Sequence, residues 1–156
     1  MQASYKVEPI GRVTSSRSEA VDDDWDNETS EIVLDRSRVG ADATAGLEDF
    51  SHVEVIYLFD QVSAEKIVTG ARHPRGNKAW PRIGILAQRG KNRPNRLGAT
   101  ICQLQRVDGN RLVLKGLDAI DGTPVLDVKP IMSGFLPRSE ITEPQWAVEI
   151  MRHYWG

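Results

Sequence analysis

What this 156-residue chain lacks limits what it can be. It holds a single cysteine, Cys102, which cannot close an internal disulfide. That excludes a disulfide-stapled scaffold and points to a reducing compartment, so cytoplasm is the expected setting. Cys102 lies in the alternating run TICQL, where a buried, inert thiol is expected over a reactive one. No apolar run approaches the ~20 residues of a membrane span, and no signal peptide is visible. One cysteine and three scattered histidines (His52, His73, His153) provide no zinc spacing, and no metal is expected. His52 and Cys102 are not held together as nucleophile and base by anything in the sequence. No G-x-G-x-x-G follows a strand and no G-x-x-x-x-G-K-[ST] occurs, so neither the usual dinucleotide fold nor a phosphate-loop nucleotidase is supported.

Carboxylates are missing from one long stretch. Residues 66–107 carry ten lysines and arginines and no acidic residue, whereas residues 1–65 carry fifteen acidic and five basic ones. The net charge of −2 hides this segregation. A carboxylate-free segment suggests a basic surface for phosphates or another anion. The alternative, compatible with it, is pairing with the acidic first third, within the monomer or across a dimer.

What is present is ordinary for a globular domain: 40% hydrophobic and 27% charged residues, enough apolar side chain to exclude wholesale disorder. The length fits one domain. Tyr5 to Thr14 alternates loosely and predicts a strand. Ser15 to Ser30 predicts a polar acidic loop in which Trp25 must pack on something, whether barrel wall, partner subunit or flat ligand. Further strands are predicted at Glu31 to Leu34, His52 to Phe59, Ile83 to Ala87, Thr100 to Val107, Arg111 to Lys115 and Val125 to Val128. Asp108-Gly109-Asn110 is a hairpin signal, and Ala43 to Phe50 could form a helical turn. Val62 to Trp80 reads as an exposed basic loop. Thr142 opens a capping box with Gln145, Ile141 and Trp146 could staple it, and a helix is predicted over 142–154 with Trp146, Ala147, Ile150, Met151 and Tyr154 on one face. Short strands without alternating helices predict a mainly β fold, a compact antiparallel barrel or sandwich with long loops and a C-terminal α-helix.

Two stretches carry candidate chemistry. Ala79 to Gly98 runs into a loop with Arg89, Lys91, Arg93 and Arg96, four cations in eight residues. Guanidinium forks suit carboxylates and phosphates. Leu117 to Pro130, LDAIDGTPVLDVKP, supplies Asp118, Asp121 and Asp127 around a DGTP turn. If the two meet, the pocket takes a polar ligand of both charges. A zwitterion such as S-adenosylmethionine suits it: its carboxylate seeks an arginine, its sulfonium a carboxylate or carbonyl, and its adenine an apolar slot.

The order Pro9-Ile10-Gly11, Phe50-Ser51-His52, R-I-G-x-x-A-x-R-x-x-x-R-P-N-x-x-G (Arg82 to Gly98) and L-D-x-x-D-G-T-P-V-L-D-x-K-P (Leu117 to Pro130) resembles the TsaA/YaeB-like (TrmO-type) family. The resemblance covers residues 7–130. It implies a β-barrel that dimerises, binds S-adenosylmethionine between loops and methylates N6-threonylcarbamoyladenosine in tRNA beside the anticodon. It also implies roles position by position. Arg89, Arg93, Asn95, Ala99, Leu117, Asp118, Ala119, Ile120 and Asp121 fall on cofactor-binding segments. Asp60 and Gln61 stand where the family has a polar pair near the cofactor, and Trp25 is a further candidate contact. Asp121 or Asp60 could take the acceptor's proton or merely brace a turn. The loop departs from the usual R-S-x-F-R-P-N-P-I-G, since Gly90 and Asn92 replace the serine and phenylalanine, and 26 residues follow Pro130. Two other readings therefore stay open: a barrel methylating a small molecule or another RNA, and a non-catalytic RNA-binding barrel.

Overall fold

The structure is a computed structural model that describes residues 2–156. Eight strands occur in chain order: β1 Gly11–Thr14, β2 Thr29–Leu34, β3 His52–Leu58, β4 Ala71–Arg72, β5 Ile83–Gly84, β6 Leu97–Asp108, β7 Arg111–Lys115 and β8 Pro124–Pro130. Six of them close an antiparallel barrel in the order β1-β2-β7-β6-β3-β8, while β4 and β5 pair by themselves outside it. The expected mainly β barrel is therefore the fold.

Alternation explains the barrel. On β3, Val53, Val55 and Tyr57 point inward between more exposed His52, Glu54 and Ile56, and on β2 Ser30, Ile32 and Leu34 do the same. They meet Cys102 and Leu104 of β6, Leu112 and Leu114 of β7, Val125 of β8 and the buried Leu117 in one core. Each such aliphatic side chain contributes roughly 1.5–3 kcal/mol by leaving water. Two register shifts bend the wall, between Leu104 and Arg106 of β6 against β7 and at Ile56/Tyr57 of β3 against β8. The β6–β7 hairpin pairs Asp108 with Arg111. Gly109 takes φ 61° in its two-residue turn, a conformation that costs any side-chain-bearing residue more than glycine. Asn110 then ties the turn to β2, its Nδ2 donating to the Leu34 carbonyl at 3.1 Å.

Several sequence expectations contract. The first strand shrinks to four residues, because Tyr5 and Val7 lie exposed, off the barrel. The strand expected over Ile83 to Ala87 survives only as the two residues of β5. Ile85–Ala87 turns into a short 3₁₀ segment instead. The helix expected over 142–154 is a six-residue α1, Gln145–Ile150. Pro144, not Thr142, stands at its N-cap and no side chain caps it. Ile141 is 69% exposed and so cannot serve as a staple. The helical turn expected over Ala43 to Phe50 reduces to Leu47–Asp49. No helix among the described residues is long and apolar enough to cross a membrane, and no cluster of three His, Cys, Asp or Glu side chains among them could hold a metal ion.

Candidate functional site

The site is built at the end of β3. Register places Tyr57 opposite Gly98 and Val55 opposite Thr100. A Cβ on Gly98 would lie 2.5 Å from the Tyr57 ring, so glycine there is what lets the phenol lie across β6. Phe59 holds that ring from its edge, with centroids 5.2 Å apart. The Tyr57 hydroxyl reaches Asp118, donating to Oδ1 at 3.0 Å and approaching the backbone carbonyl at 3.2 Å. Thr100 Oγ1 donates to the same Oδ1. Tyr154, beyond α1, donates its hydroxyl to Oδ2.

One carboxylate thus gathers three hydroxyl donors. Burial first, and then the charge on Asp118, push both Tyr57 and Tyr154 well above the usual phenol range. Both therefore remain neutral donors at any physiological pH. Leu117 and Ala119, which flank Asp118, are fully buried, so the carboxylate is presented from a rigid apolar segment.

The cationic loop meets this cluster. Arg89 Nη2 donates to the Ala99 carbonyl at 2.6 Å, and Ala99 immediately precedes the Thr100 that holds Asp118. Arg89 and Asp118 are thus brought to one end of the barrel through two consecutive residues of β6. Arg89 has no carboxylate partner among the described residues, and its guanidinium has donors beyond the one on Ala99. Arg93 Nη1 donates to the Gln88 carbonyl at 2.6 Å and Arg96 Nη1 to the Val62 carbonyl at 2.6 Å. Those two contacts shape the loop. Asn95 and Arg96 take φ 62° and 52°, which explains the tight turn through Pro94–Arg96. The Gly90 departure has a local reason: a Cβ there would lie 2.7 Å from Arg72 Nη2, so the missing serine makes room for another cation.

The remaining candidates make other contacts. Asp121 Oδ1 accepts the Ser15 amide at 3.0 Å, which is a turn brace. The Ile120 carbonyl is taken by the Thr123 hydroxyl at 2.6 Å. Asp60 and Gln61 are exposed beyond β3, and no hydrogen bond among the described residues joins them to Asp118. Trp25 is 3% exposed. Arg17 lies over its ring at 3.6 Å and its indole N–H donates to the Val21 carbonyl at 3.1 Å. Its packing partner is therefore the chain itself. Tyr57, Thr100 and Tyr154 are the residues that sequence reasoning missed. For Tyr57 a signal was present, since alternation along HVEVIYLF places a phenol among inward valines, where its hydroxyl needs a partner.

Comparison with known proteins bears on this geometry. The family described as tRNA-methyltransferase O N-terminal domain matches residues 21–135, a range that includes Arg89, Ala99, Thr100 and Asp118. The chain is similar to the tRNA (adenine(37)-N6)-methyltransferase of Escherichia coli strain K12, 40% identical over 105 residues that make up 64% of this chain and 42% of the relative. It is also similar to a Rhizobium radiobacter protein named Probable S-adenosyl-L-methionine-binding protein VirR, 37% identical over 97 residues, 62% of this chain and 53% of the relative. Among solved structures, TrmO from P. aeruginosa superposes with a TM-score of 0.75 at 26% identity, covering 94% of this chain and 63% of that one. The chain thus spans about half or less of the length of these curated relatives. With a family match over residues 21–135 and the barrel of TrmO, this chain belongs to the tRNA-methyltransferase O N-terminal domain family.

Proposed function

We propose that this domain binds S-adenosylmethionine at the Arg89–Asp118 end of the barrel and directs its methyl group to N6-threonylcarbamoyladenosine beside the tRNA anticodon. The observation that carries this reading is the convergence of a cation on Ala99 and an anion on Thr100, adjacent residues of one strand. The donor set fits the ligand chemically. Arg89 suits the carboxylate, Asp118 suits the positively charged sulfonium or ammonium, and the half-buried Ile120 offers apolar surface to the adenine. The cofactor supplies an electrophilic methyl group. The protein's part is to bind, orient and exclude water. With Asp121 bracing a turn, proton removal from the acceptor nitrogen is left to solvent or the exposed Asp60.

The relatives' names support the acceptor class, since E. coli's enzyme is named for adenine 37 of tRNA. So does the acid-free segment, whose cations are suited to phosphates. Such an enzyme would work in the cytoplasm as a homodimer; exposed Leu86, Leu97 and Ile101 offer apolar area to a second copy. A different RNA or small acceptor is the second reading. It is favoured by the loop departure in which Gly90 admits the Arg72 guanidinium and makes the rim more cationic.

Calorimetry tests the cofactor. Arg89→Ala is expected to weaken S-adenosylmethionine binding by about tenfold, the loss of one charge-assisted contact of ~1.4 kcal/mol; unchanged affinity removes Arg89 from the site. Mass spectrometry of tRNA nucleosides from a deletion strain tests the acceptor, and an unaltered level of methylated threonylcarbamoyladenosine rejects the tRNA role.

A further inference from the structure

The segment after α1 has no role so far, yet it and α1 are fastened to the domain by three sets of contacts, one of them at the site. The carbonyls of His153, Tyr154 and Trp155 accept the amides of Asp24, Trp25 and Asp26 at 3.0, 2.9 and 3.0 Å. The Trp80 indole N–H donates to Glu149 Oε2 at 2.8 Å, which fastens α1 to the basic segment. Between these anchors the Tyr154 hydroxyl donates to Asp118 Oδ2, the oxygen that Tyr57 and Thr100 leave free.

We infer that residues 153–155 form a strap belonging to the candidate site, and that Tyr154 is a positioning residue that fixes the Asp118 carboxylate through the strap's closure. The ligand in this inference rests on the S-adenosylmethionine reading; the coupling between strap and carboxylate does not.

Tyr57 and Thr100 both hold Oδ1, so on their own they leave the group free to pivot about that oxygen. A third donor on Oδ2 removes the pivot. A carboxylate offers about four lone-pair directions, and three hydroxyls leave roughly one for a ligand's cationic or N–H group. Tyr154 stays protonated, so it holds the charge in place without neutralising it. Its ring is itself braced edge-on by Trp155, with centroids 4.8 Å apart, and Trp25 beneath the strap is clamped by Arg17. Removing the hydroxyl alone would leave this packing intact while freeing the carboxylate.

The test uses the full chain in four forms: wild type, Tyr154→Phe, Asp118→Ala and the double variant. Without ligand, hydrogen exchange at the amides of Asp24, Trp25 and Asp26 reads the strap. Each single variant is expected to speed exchange at least about fivefold, and the double variant no further than either one, because both break the same bond. Multiplying effects, or unchanged exchange in Tyr154→Phe, overturn the coupling. With S-adenosylmethionine added, calorimetry is expected to show about tenfold weaker binding to Tyr154→Phe; equal affinity overturns the positioning role. If wild type takes no S-adenosylmethionine, the cofactor reading falls, and the exchange rates still decide whether Tyr154 holds Asp118.

Discussion

Cys102 shows how one residue's surroundings set its chemistry. It is 3% exposed inside the barrel, and burial, then the charge of Asp118, push its thiol from an ordinary 9.0 up to about 12. Tyr57 and Tyr154 are raised from 10.0 by the same two causes. All three are therefore protonated in the fold at pH values where the unfolded chain has begun to lose those protons. Their contribution to stability is complete below about pH 9 and declines as pH climbs toward 12. The urea midpoint should accordingly fall between pH 9 and 11, with a shallower fall in Cys102→Ala. A thiol reagent at pH 8 should label the protein only once it is unfolded. The inert thiol was legible from TICQL, because alternation places Cys102 inward whatever its neighbours are. The Asp118 cluster was not. Tyr57, Thr100 and Tyr154 reach it from 61, 18 and 36 residues away in sequence, and no local pattern encodes such a meeting.

Elements were readable to the extent that they bury one face. β3 was legible nearly to the residue, since β-branched and aromatic side chains alternate over a long run. The β6–β7 hairpin was legible because Asp108-Gly109-Asn110 demands a tight turn. Gly109→Val should cost about 1–2 kcal/mol, the penalty of a positive φ on a β-branched residue, read as a lower urea midpoint with an unchanged slope. A smaller loss would mean that the turn relaxes to another type. Elements that bury little were misjudged. Ile83 to Ala87 looks like a strand by composition, but only Ala71–Arg72 pairs with it, and the chain soon bends away. The helical period over 142–154 is real for one and a half turns. Beyond Ile150 the chain turns instead, and the carbonyls of His153, Tyr154 and Trp155 accept the amides of Asp24, Trp25 and Asp26.

At the scale of the whole molecule, charge segregation persists in three dimensions. Arg75 alone among the ten cations of residues 66–107 reaches a carboxylate among the described residues, Asp22 at 3.9 Å and Asp23 at 3.1 Å. Elsewhere in the acidic first third, Glu8 and Glu28 pair with that third's own Lys6, Arg38 and Arg17, and Glu31 pairs with Arg111. Of the two compatible readings of that segregation, neutralisation within the monomer is thus nearly absent, and the basic surface stays available to a polyanion. If about four tRNA phosphates are engaged, log affinity should fall against log salt with a slope of about −3, measured by fluorescence anisotropy in rising KCl. Replacing Lys91 and Arg96 with glutamine should flatten it, and a slope near zero would refute the phosphate surface. The ring itself closes where Gly11 and Arg12 of β1 face Val125 and Pro124 of β8. Pro124 has no amide hydrogen to offer, so when thermal motion parts that seam, the bared margin of β8 is a poor template for a stranger's strand. The join that completes the barrel is thereby also its guard against sticking to other chains and aggregating.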